Sequence, residues 1–271
     1  MNIAIGISTM NDGIYSLTEY IGEIPDEFLL IISHQITNNK KYDDVISGNN
    51  IEVICRYETG LSRSRNVLLD AAIKSNVDYL IISDDDVRYD SEGLKKLFKK
   101  LINCGCHYQL QSKCPDGRLR KEYKKKPYKL GRKNIFGVSS IELCLNIPAI
   151  NKDGLFFDEK FGLGAKYPAG EEPIFLSDAL DKGHEIEFLP LTVTIHPEVS
   201  SGLLLFSDER MIHARGALFR RCFGFFKGAC VAILFWAKKF VFHRQKNIVD
   251  NKVSKGKAFM IMLKGFMHND I

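Results

Sequence analysis

The chain has 271 residues, 45% of them hydrophobic and 26% charged, and its formal net charge of +5 is too small to indicate a partner. This composition excludes a disordered chain and supports one large packed core. Its seven cysteines are scattered, and the C-x-C pair Cys104 and Cys106 has no second pair at zinc spacing. Free thiols in a reducing cytoplasm are therefore expected, and disulfides or a structural zinc site are not.

Short apolar runs alternate with helix-like segments through the first half of the chain. The runs are residues 3–7, 28–32, 51–55 and 79–82, and the helix-like segments are residues 61–75 and 91–103. The first run lacks the basic segment and cleavage site of a signal peptide and is typical of a buried strand. This alternation predicts an α/β fold with a mostly parallel central sheet and helices on both faces. Ligands of such sheets bind outside the carboxyl ends of the strands.

The second half of the chain is less regular. The turn sequence Pro115-Asp116-Gly117 predicts a hairpin, and residues 113–133 hold ten Lys or Arg against one Asp and one Glu. We expect strands over residues 136–146 and 191–195, a long loop over 154–170, and a helix over 171–182. From residue 206 onward, apolar and aromatic residues mix with Lys and Arg. The predicted organisation is an α/β domain over residues 1–205 and a basic, aromatic helical tail over residues 206–271.

Three adjacent carboxylates, Asp84, Asp85 and Asp86, follow the fourth apolar run directly. Adjacent carboxylates repel one another, and oxygen ligands of this kind suit Mg²⁺ or Mn²⁺. Because these residues follow a strand, they predict a metal site at the ligand-binding edge of the sheet. An acidic turn that caps the next helix is the alternative interpretation.

The segment Gly-Leu-Ser-Arg-Ser-Arg-Asn over residues 60–66 follows the third apolar run and opens a helix. Arg63 and Arg65 lie in or near the first turn of that helix, where a positive charge opposes the helix macrodipole. Binding of an anion or a nucleotide would explain this unfavourable placement. A solvated basic face is the alternative interpretation.

Two further features follow predicted loops and strands late in the chain. Gly170-Glu171-Glu172-Pro173 enters a helix, whose positive end is expected to keep both carboxylates ionised so that one can act as a general base. His196 follows the last strand and is a candidate metal ligand. Helix capping and a structural histidine are the respective alternatives. All four features nevertheless fall at one end of the predicted sheet, and their conjunction is more specific than any one of them.

At these residues the chain resembles the family 2 glycosyltransferases, which have the GT-A fold, a Rossmann-like sheet that binds nucleotide-sugars. The resemblance covers about residues 3–200. It is carried by the segments Ser8-Thr9-Met10-Asn11, 60–66, Asp84-Asp85-Asp86, 157–162 and 170–172, and by His196. Two positions depart from the family pattern. The acidic pair is Glu-Glu where the family usually has Glu-Asp, and Gln35 or His34 stands where many relatives have an acidic residue near the uracil.

The resemblance implies an inverting transfer of a hexose from a UDP-sugar donor, with Mn²⁺ or Mg²⁺ as the metal. It implies that Glu172 is the base that deprotonates the acceptor, with Glu171 orienting the acceptor or sharing the proton. It assigns to the donor and cofactor the side chains of Thr9, Asn11, Gln35, Arg65, Asn66, Asp84 and Asp85. It assigns to the metal the side chains of Asp86, Asp84 and His196.

More narrowly, the chain is similar to bacterial enzymes of O-antigen, lipopolysaccharide and capsule assembly, in particular to inverting β1,3-galactosyltransferases. This similarity implies that galactose is transferred to an undecaprenyl-diphosphate-linked sugar acceptor.

The segment from Phe219 to Phe242 is rich in aromatic residues and carries Arg220-Arg221 and Lys238-Lys239 near its ends. Lys227 interrupts it, and its uncharged run is shorter than the ~20 residues that a membrane span needs. The segment predicts an interfacial helix that holds the protein peripherally on an anionic membrane surface, at the cytoplasmic face of the inner membrane. A core helix pair that closes the domain is the alternative.

Two other functions remain open from the sequence. A metal-dependent nucleotidyltransferase also places acidic metal ligands at strand ends. A non-catalytic basic module would bind a membrane or another polyanion through its Lys and Arg residues. The acidic triad at the predicted pocket argues against such a module, and we expect no nucleic-acid partner.

Overall fold

The computed structural model describes residues 1–101, 105–197, 208–242 and 253–268. Cys104 and the predicted domain boundary after residue 205 lie outside the described residues. The strands are β1 Ile3–Met10, β2 Phe28–Gln35, β3 Ile51–Arg56, β4 Tyr79–Asp84, β5 Arg88–Tyr89, β6 His107–Lys113, β7 Tyr128–Lys129, β8 Leu143–Asn146 and β9 Ile186–Ile195. The helices are α1 Ile14–Leu17, α2 Leu61–Lys74, α3 Ser91–Lys100, α4 Ile147–Asp153, α5 Glu171–Asp181, α6 Glu209–Trp236 and α7 Lys255–Phe266.

These strands form one sheet in the order β3-β2-β1-β4-β8-β6-β9-β5, with β7 paired to β9. The first four strands of the path run parallel to one another. β8 runs antiparallel to both β4 and β6, while β6 and β9 are parallel. The carboxyl ends of β1, β2, β3, β4, β6 and β9 therefore lie at one edge of the sheet. The predicted mostly parallel α/β fold is confirmed.

Helices cover both faces of the sheet because its apolar residues alternate in direction along each strand. One face buries Ile5 and Ile7 of β1 against Leu94 and Leu97 of α3. The opposite face buries a second apolar cluster that includes Leu68 of α2 and residues of α5. Each fully buried aliphatic side chain contributes about 1.5–3 kcal/mol of hydrophobic free energy, so the two layers hold the sheet edge rigid.

The region before β8 differs from the sequence prediction. Residues 136–146 were expected to form one strand, but only Leu143–Asn146 is extended, and 3₁₀ helices occupy Ile135–Gly137 and Ser140–Glu142. Ser139 and Glu142 cap the second of these with reciprocal side-chain bonds to the backbone. Such local bonds compete with strand pairing. The predicted hairpin keeps its turn, but its second arm does not form a strand. It pairs with the first arm through a bridge between Lys113 and Leu119 and a hydrogen bond from the N–H of Arg120 to the carbonyl oxygen of Ser112.

Helix α6 folds back on itself at Gly224, whose φ of 69° and ψ of −169° are not helical. The rings of Phe219 and Phe235 lie 5.2 Å apart, whereas a straight helix would separate them by ~24 Å. A Cβ on Gly228 would lie 2.7 Å from the carbonyl oxygen of Phe219, so the two halves approach closely only because this residue is glycine. The aromatic segment of the sequence is thus a helical hairpin.

The first half of α6 packs on the α/β domain. Its residues Ala214, Ala217 and Leu218 share a buried apolar cluster with Phe161 and Ile174. The start of the region that the sequence assigned to a helical tail therefore packs on the α/β domain.

Helix α7 crosses α6 through close backbone contacts at two glycines. A Cβ on Gly216 would lie 2.0 Å from the carbonyl oxygen of Met262, and one on Gly265 would lie 2.0 Å from that of His213. Among the described residues, none of the helices combines the length and the apolar character required to cross a membrane.

Candidate active site

A cavity of about 410 Å³ lies beside the carboxyl ends of β4 and β9. Six of the residues that the sequence predicted for the site line it, namely Arg65, Asp84, Asp86, Glu171, Glu172 and His196. They come from the start of α2, the end of β4, the start of α5 and the end of β9. The structure therefore brings together the distant motifs that the sequence placed at one edge of the sheet.

Arg65 ties three carboxylates together at the base of this cavity. Its side chain is 1% exposed, and its Nη1 lies 3.1 Å from Oε1 of Glu171 and 3.3 Å from Oε1 of Glu172. Its Nη2 lies 3.4 Å from Oδ1 of Asp84, whose second oxygen accepts a hydrogen bond from Ser140 at 3.2 Å. These ion pairs explain why an arginine occupies the positive end of α2, and its predicted nucleotide contact remains a prediction.

The acidic pair sits in the first turn of α5, behind Gly170 with its φ of +112°. The side chain of Glu171 is 7% exposed and that of Glu172 is 17% exposed. Burial, together with the neighbouring Glu171 carboxylate, raises the pKa of Glu172 to about 7, against the opposing effect of Arg65. The helix end was expected to keep both groups ionised, but burial outweighs it at Glu172. A carboxyl group of this pKa suits proton transfer near neutral pH.

The loop before α5 is clamped onto the start of α2. Asn66 donates a hydrogen bond to the carbonyl oxygen of Phe157 at 3.0 Å and accepts one from its N–H at 2.8 Å. Ser62 donates to the carbonyl oxygen of Phe161 at 2.5 Å. A Cβ on Gly162 would lie 3.0 Å from Oγ of Ser62, so the loop packs this closely only with glycine there. Asn66 thus positions the loop and lies outside the cavity wall. Its predicted contact with the nucleotide remains a prediction.

Asp86 and His196 form the second charged pair of the cavity. Nε2 of His196 lies 3.1 Å from Oδ2 of Asp86, and its Nδ1 lies 2.6 Å from the carbonyl oxygen of Pro197. The contact raises the pKa of His196 and lowers that of Asp86. With Nδ1–H donated to a backbone carbonyl, Nε2 and the carboxylate together attract a positive charge, either a proton or a metal ion.

These two side chains fit a divalent cation by their chemistry, because imidazole nitrogen and carboxylate oxygen both bind Mn²⁺ or Mg²⁺. Asp84, the third predicted ligand, has both oxygens engaged by Arg65 and Ser140. No cluster of three or more His, Cys, Asp or Glu side chains suited to a metal ion occurs in the described ranges. The metal site therefore remains a prediction, with Asp86 and His196 as its adjacent ligands.

Asp85 points away from the other two aspartates and toward the loop after β1. Thr9 donates a hydrogen bond from Oγ1 to Oδ2 of Asp85 at 2.6 Å. Burial raises the pKa of Asp85, and a Cβ on Gly13 would lie 2.0 Å from its Oδ2. Thr9 and Asp85 thus hold the loop at the end of β1, beside but not within the cavity wall.

The two remaining predicted donor residues hold neighbouring loops. Asn11 donates to Oγ1 of Thr37 at 2.9 Å and accepts from its N–H at 2.8 Å. Gln35 donates to the carbonyl oxygens of Glu58 and Gly60, both at 3.1 Å. Together these bonds fix the strand-end loops on the β1–β3 side of the sheet. Their predicted contacts with uridine remain predictions.

Two arginines of the cavity wall were missed by the sequence analysis. Arg120 follows β6, and Arg215 lies in the first half of α6. The Nε of Arg120 is buried and forms no hydrogen bond with the described residues. Its charge adds to the lowering of the pKa of Asp86 and partly opposes the rise in the pKa of His196 that the contact with Asp86 produces. The sequence offered only a weak signal for them, because Arg120 is one of many basic residues in its segment and Arg215 falls in the region assigned to a tail.

No protein family model matches the chain, and neither does any curated protein. Among solved structures, the chain is similar to S. aureus TarS, with a TM-score of 0.58 and 17% identity over 90% of this chain and 44% of that one. It is also similar to S. aureus TarS 1-349, with a TM-score of 0.59 and 16% identity over 90% of this chain and 73% of that one. The chain thus spans less than half the length of the first of these. At such identities the likeness shows the fold alone, and the fold is GT-A.

The raised pKa of Glu172 predicts a pH dependence of stability. The folded-state pKa of about 7 exceeds the ordinary value of 4.5, so the folded protein binds more protons than the unfolded chain between these values. The free energy of unfolding therefore falls as the pH rises through this window. We expect the free energy of unfolding of the wild type, measured by urea unfolding, to fall between about pH 5 and about pH 8. In E172Q, which lacks the titrating carboxyl group, this fall should be smaller by ~1–3 kcal/mol.

E185Q is the matched control for this measurement, because Glu185 has a 62% exposed side chain and should leave the wild-type pH dependence unchanged. If E172Q and the wild type lose the same stability over this range, Glu172 titrates as an ordinary glutamate.

Proposed function

We propose that this chain is an inverting glycosyltransferase that moves a hexose from a UDP-sugar to an acceptor hydroxyl. The observation that carries the proposal is one cavity of a GT-A fold that holds a carboxyl group tuned for proton transfer, Glu172, together with the Asp86–His196 pair. A transferase of this kind needs a base for the acceptor and positive charge for the departing nucleotide.

On the donor side, Asp86 and His196 would hold Mn²⁺ or Mg²⁺ at the diphosphate, where the ion would offset the negative charge that grows on the departing UDP. Arg120, with its buried and unpaired Nε, adds a second positive charge at this end of the cavity. Thr9, Asn11, Gln35 and Asp85 shape the strand-end loops beside it, where the uridine would bind.

On the acceptor side, Glu172 removes the proton of the attacking hydroxyl. The acceptor oxygen forms a bond to the anomeric carbon from the face opposite UDP, the bond from that carbon to the phosphate oxygen breaks, and the configuration inverts. Arg65 holds Glu172 at 3.3 Å and Glu171 at 3.1 Å. Glu171, the more buried of the two, orients the acceptor or shares the proton.

Replacement of the base should separate catalysis from donor binding. We expect E172Q to lower the transfer rate by at least about 100-fold, the usual contribution of a general base, and to leave the affinity for UDP unchanged in calorimetry. Because the base must be deprotonated, the wild-type rate should fall as the pH drops below the Glu172 pKa of about 7.

E185Q serves again as the control and should retain full activity. Near-normal turnover by E172Q would remove Glu172 from the role of base. Release of pyrophosphate in place of UDP would favour the nucleotidyltransferase alternative.

The metal proposal has its own test. We expect EDTA to abolish transfer and added Mn²⁺ or Mg²⁺ to restore it, and D86A to lose both activity and the response to added metal, because Asp86 is one of two adjacent ligands. D116A is the control, since Asp116 has a 52% exposed side chain in a surface pair with Arg118. Full activity of the wild type in EDTA would show that transfer needs no divalent ion.

The identity of the substrates is the finer part of the proposal. The sequence resemblance supports galactose as the sugar, an undecaprenyl-diphosphate-linked sugar as the acceptor, and O-antigen or capsule assembly as the setting. A panel of UDP-sugars offered with synthetic lipid-diphosphate sugars, read by mass spectrometry, would identify both substrates.

We further propose that the protein lies peripherally on the cytoplasmic face of the membrane. Several apolar side chains of α6, of residues 237–242 that follow it and of α7 are exposed, with Phe226 at 83%, Leu234 at 70%, Phe242 at 78% and Met260 at 62%. Lys238, Lys239, Lys257 and Lys264 lie on the same helices or next to them. Aromatic and aliphatic residues with interleaved lysines suit an anionic lipid surface.

We expect the protein to sediment with phosphatidylglycerol vesicles and much less with phosphatidylcholine vesicles. The double variant F226S/L234S should reduce the bound fraction because it removes exposed apolar contact area. Y57S is the control, because Tyr57 is 81% exposed and follows β3, outside α6 and α7. Equal binding of both lipids, or none, would contradict the proposal.

A further inference from the structure

Arg215 is a cationic residue of the cavity wall that has no ion-pair partner among the described residues. It lies on the first half of α6 and lines the cavity together with Glu171 and Glu172. Its guanidinium lies over the ring of Phe235, 5.7 Å from the ring centroid. Within the described residues it forms no hydrogen bond or ion pair. The glutamates are instead paired to Arg65.

The fold-back of α6 creates this arrangement. Phe235 belongs to the second half of the helix and reaches Arg215 because the chain reverses at Gly224. A cation–π contact with an aromatic ring uses none of the N–H donors of a guanidinium for hydrogen bonding. Arg215 is therefore held beside the Phe235 ring by a cation–π contact, and its N–H donors form no hydrogen bond with the described residues.

The surrounding charges do not balance Arg215. Burial lowers its pKa, and the attraction of Glu172 and Glu171 offsets only part of that effect. Arg215 is partly buried, so its charge loses part of its solvation with no ion pair among the described residues to offset that loss. Such groups are a feature of ligand sites, where the ligand supplies the missing charge.

We propose that Arg215 binds a phosphate group of the acceptor, next to the hydroxyl that Glu172 deprotonates. This inference rests on the proposed glycosyl transfer and extends it by assigning the anionic part of the acceptor to α6. The planar, forked donors of a guanidinium pair with two oxygens of one phosphate.

The position of Arg215 selects the acceptor over the donor. Its electrostatic partners are Glu171 and Glu172, whereas Arg120 acts on Asp86 and His196 at the other charged pair. Among the described residues, the cavity thus carries Arg120, whose Nε has no hydrogen-bond partner, on the side of the Asp86–His196 pair, and Arg215, which has no ion pair, on the side of the base. A lipid diphosphate and a soluble phosphate ester share the chemistry that Arg215 recognises.

The test is calorimetric titration of the full chain with geranyl diphosphate, with saturating UDP and Mg²⁺ present to fill the donor end. We expect R215Q to weaken this binding by about tenfold or more, the effect of losing a charge-assisted hydrogen bond. R210Q is the matched control, because Arg210 lies on the same helix with an 81% exposed side chain and should bind as the wild type does. UDP affinity should be equal in all three proteins.

R215K keeps the positive charge but loses the forked donors of the guanidinium, so it should bind geranyl diphosphate with intermediate affinity. This variant also provides a second test if R215Q misfolds. Titration with inorganic pyrophosphate distinguishes a lipid diphosphate from a soluble phosphate ester as the ligand. If pyrophosphate binds as tightly as geranyl diphosphate, the site recognises the phosphate alone. Weaker pyrophosphate binding shows a contribution from the lipid, and Arg215-dependent loss supports the proposal in either case.

The proposal is overturned if the wild type fails to bind geranyl diphosphate or if R215Q binds it as tightly as the wild type. It is also overturned if the affinity of R215Q for UDP falls as much as its affinity for geranyl diphosphate. A failure of the proposed glycosyl transfer looks different, because the wild type then does not bind UDP. The titration without UDP still reports whether phosphate binding depends on Arg215.

Discussion

The Arg65 guanidinium is the point on which the rest of the site depends. It is almost fully buried and touches carboxylates from the end of β4 and from both positions at the start of α5. Because a buried charge must be compensated, the arginine fixes where these elements meet. The same contact opposes the rise in the pKa of Glu172 that burial produces. This one interaction thus positions the candidate base and limits the rise in its pKa.

Around this point the site separates into two charged regions. Asp86, His196 and Arg120 follow β4, β9 and β6, and in the proposed transfer they would serve the departing diphosphate. Glu171, Glu172 and Arg215 come from α5 and α6, and in the same proposal they would serve a negatively charged acceptor. Two such regions within one cavity are compatible with the proposed direct displacement between two substrates.

Helix α6 links this chemistry to a second surface. Its first half packs on the α/β domain and supplies Arg215, while its second half returns over the first and exposes Phe226 and Leu234. In the proposed function, this hairpin joins the cavity to the surface that we propose lies on the membrane. Gly224 and Gly228 make the reversal possible, the one through its positive φ and the other through a close backbone approach.

The sequence by itself determined the parallel half of the sheet and the edge at which Asp84, Asp86, Glu172 and His196 meet, because the period of apolar residues and the rule for strand ends are local signals. Only the tertiary structure decided that Arg65 pairs with the acidic motifs, that Asn66 holds a loop, and that Arg215 belongs to the cavity. These outcomes depend on contacts between residues far apart in the chain. Burial, which raises the pKa of Glu172, is likewise a property of the packed molecule and has no counterpart in the order of its residues.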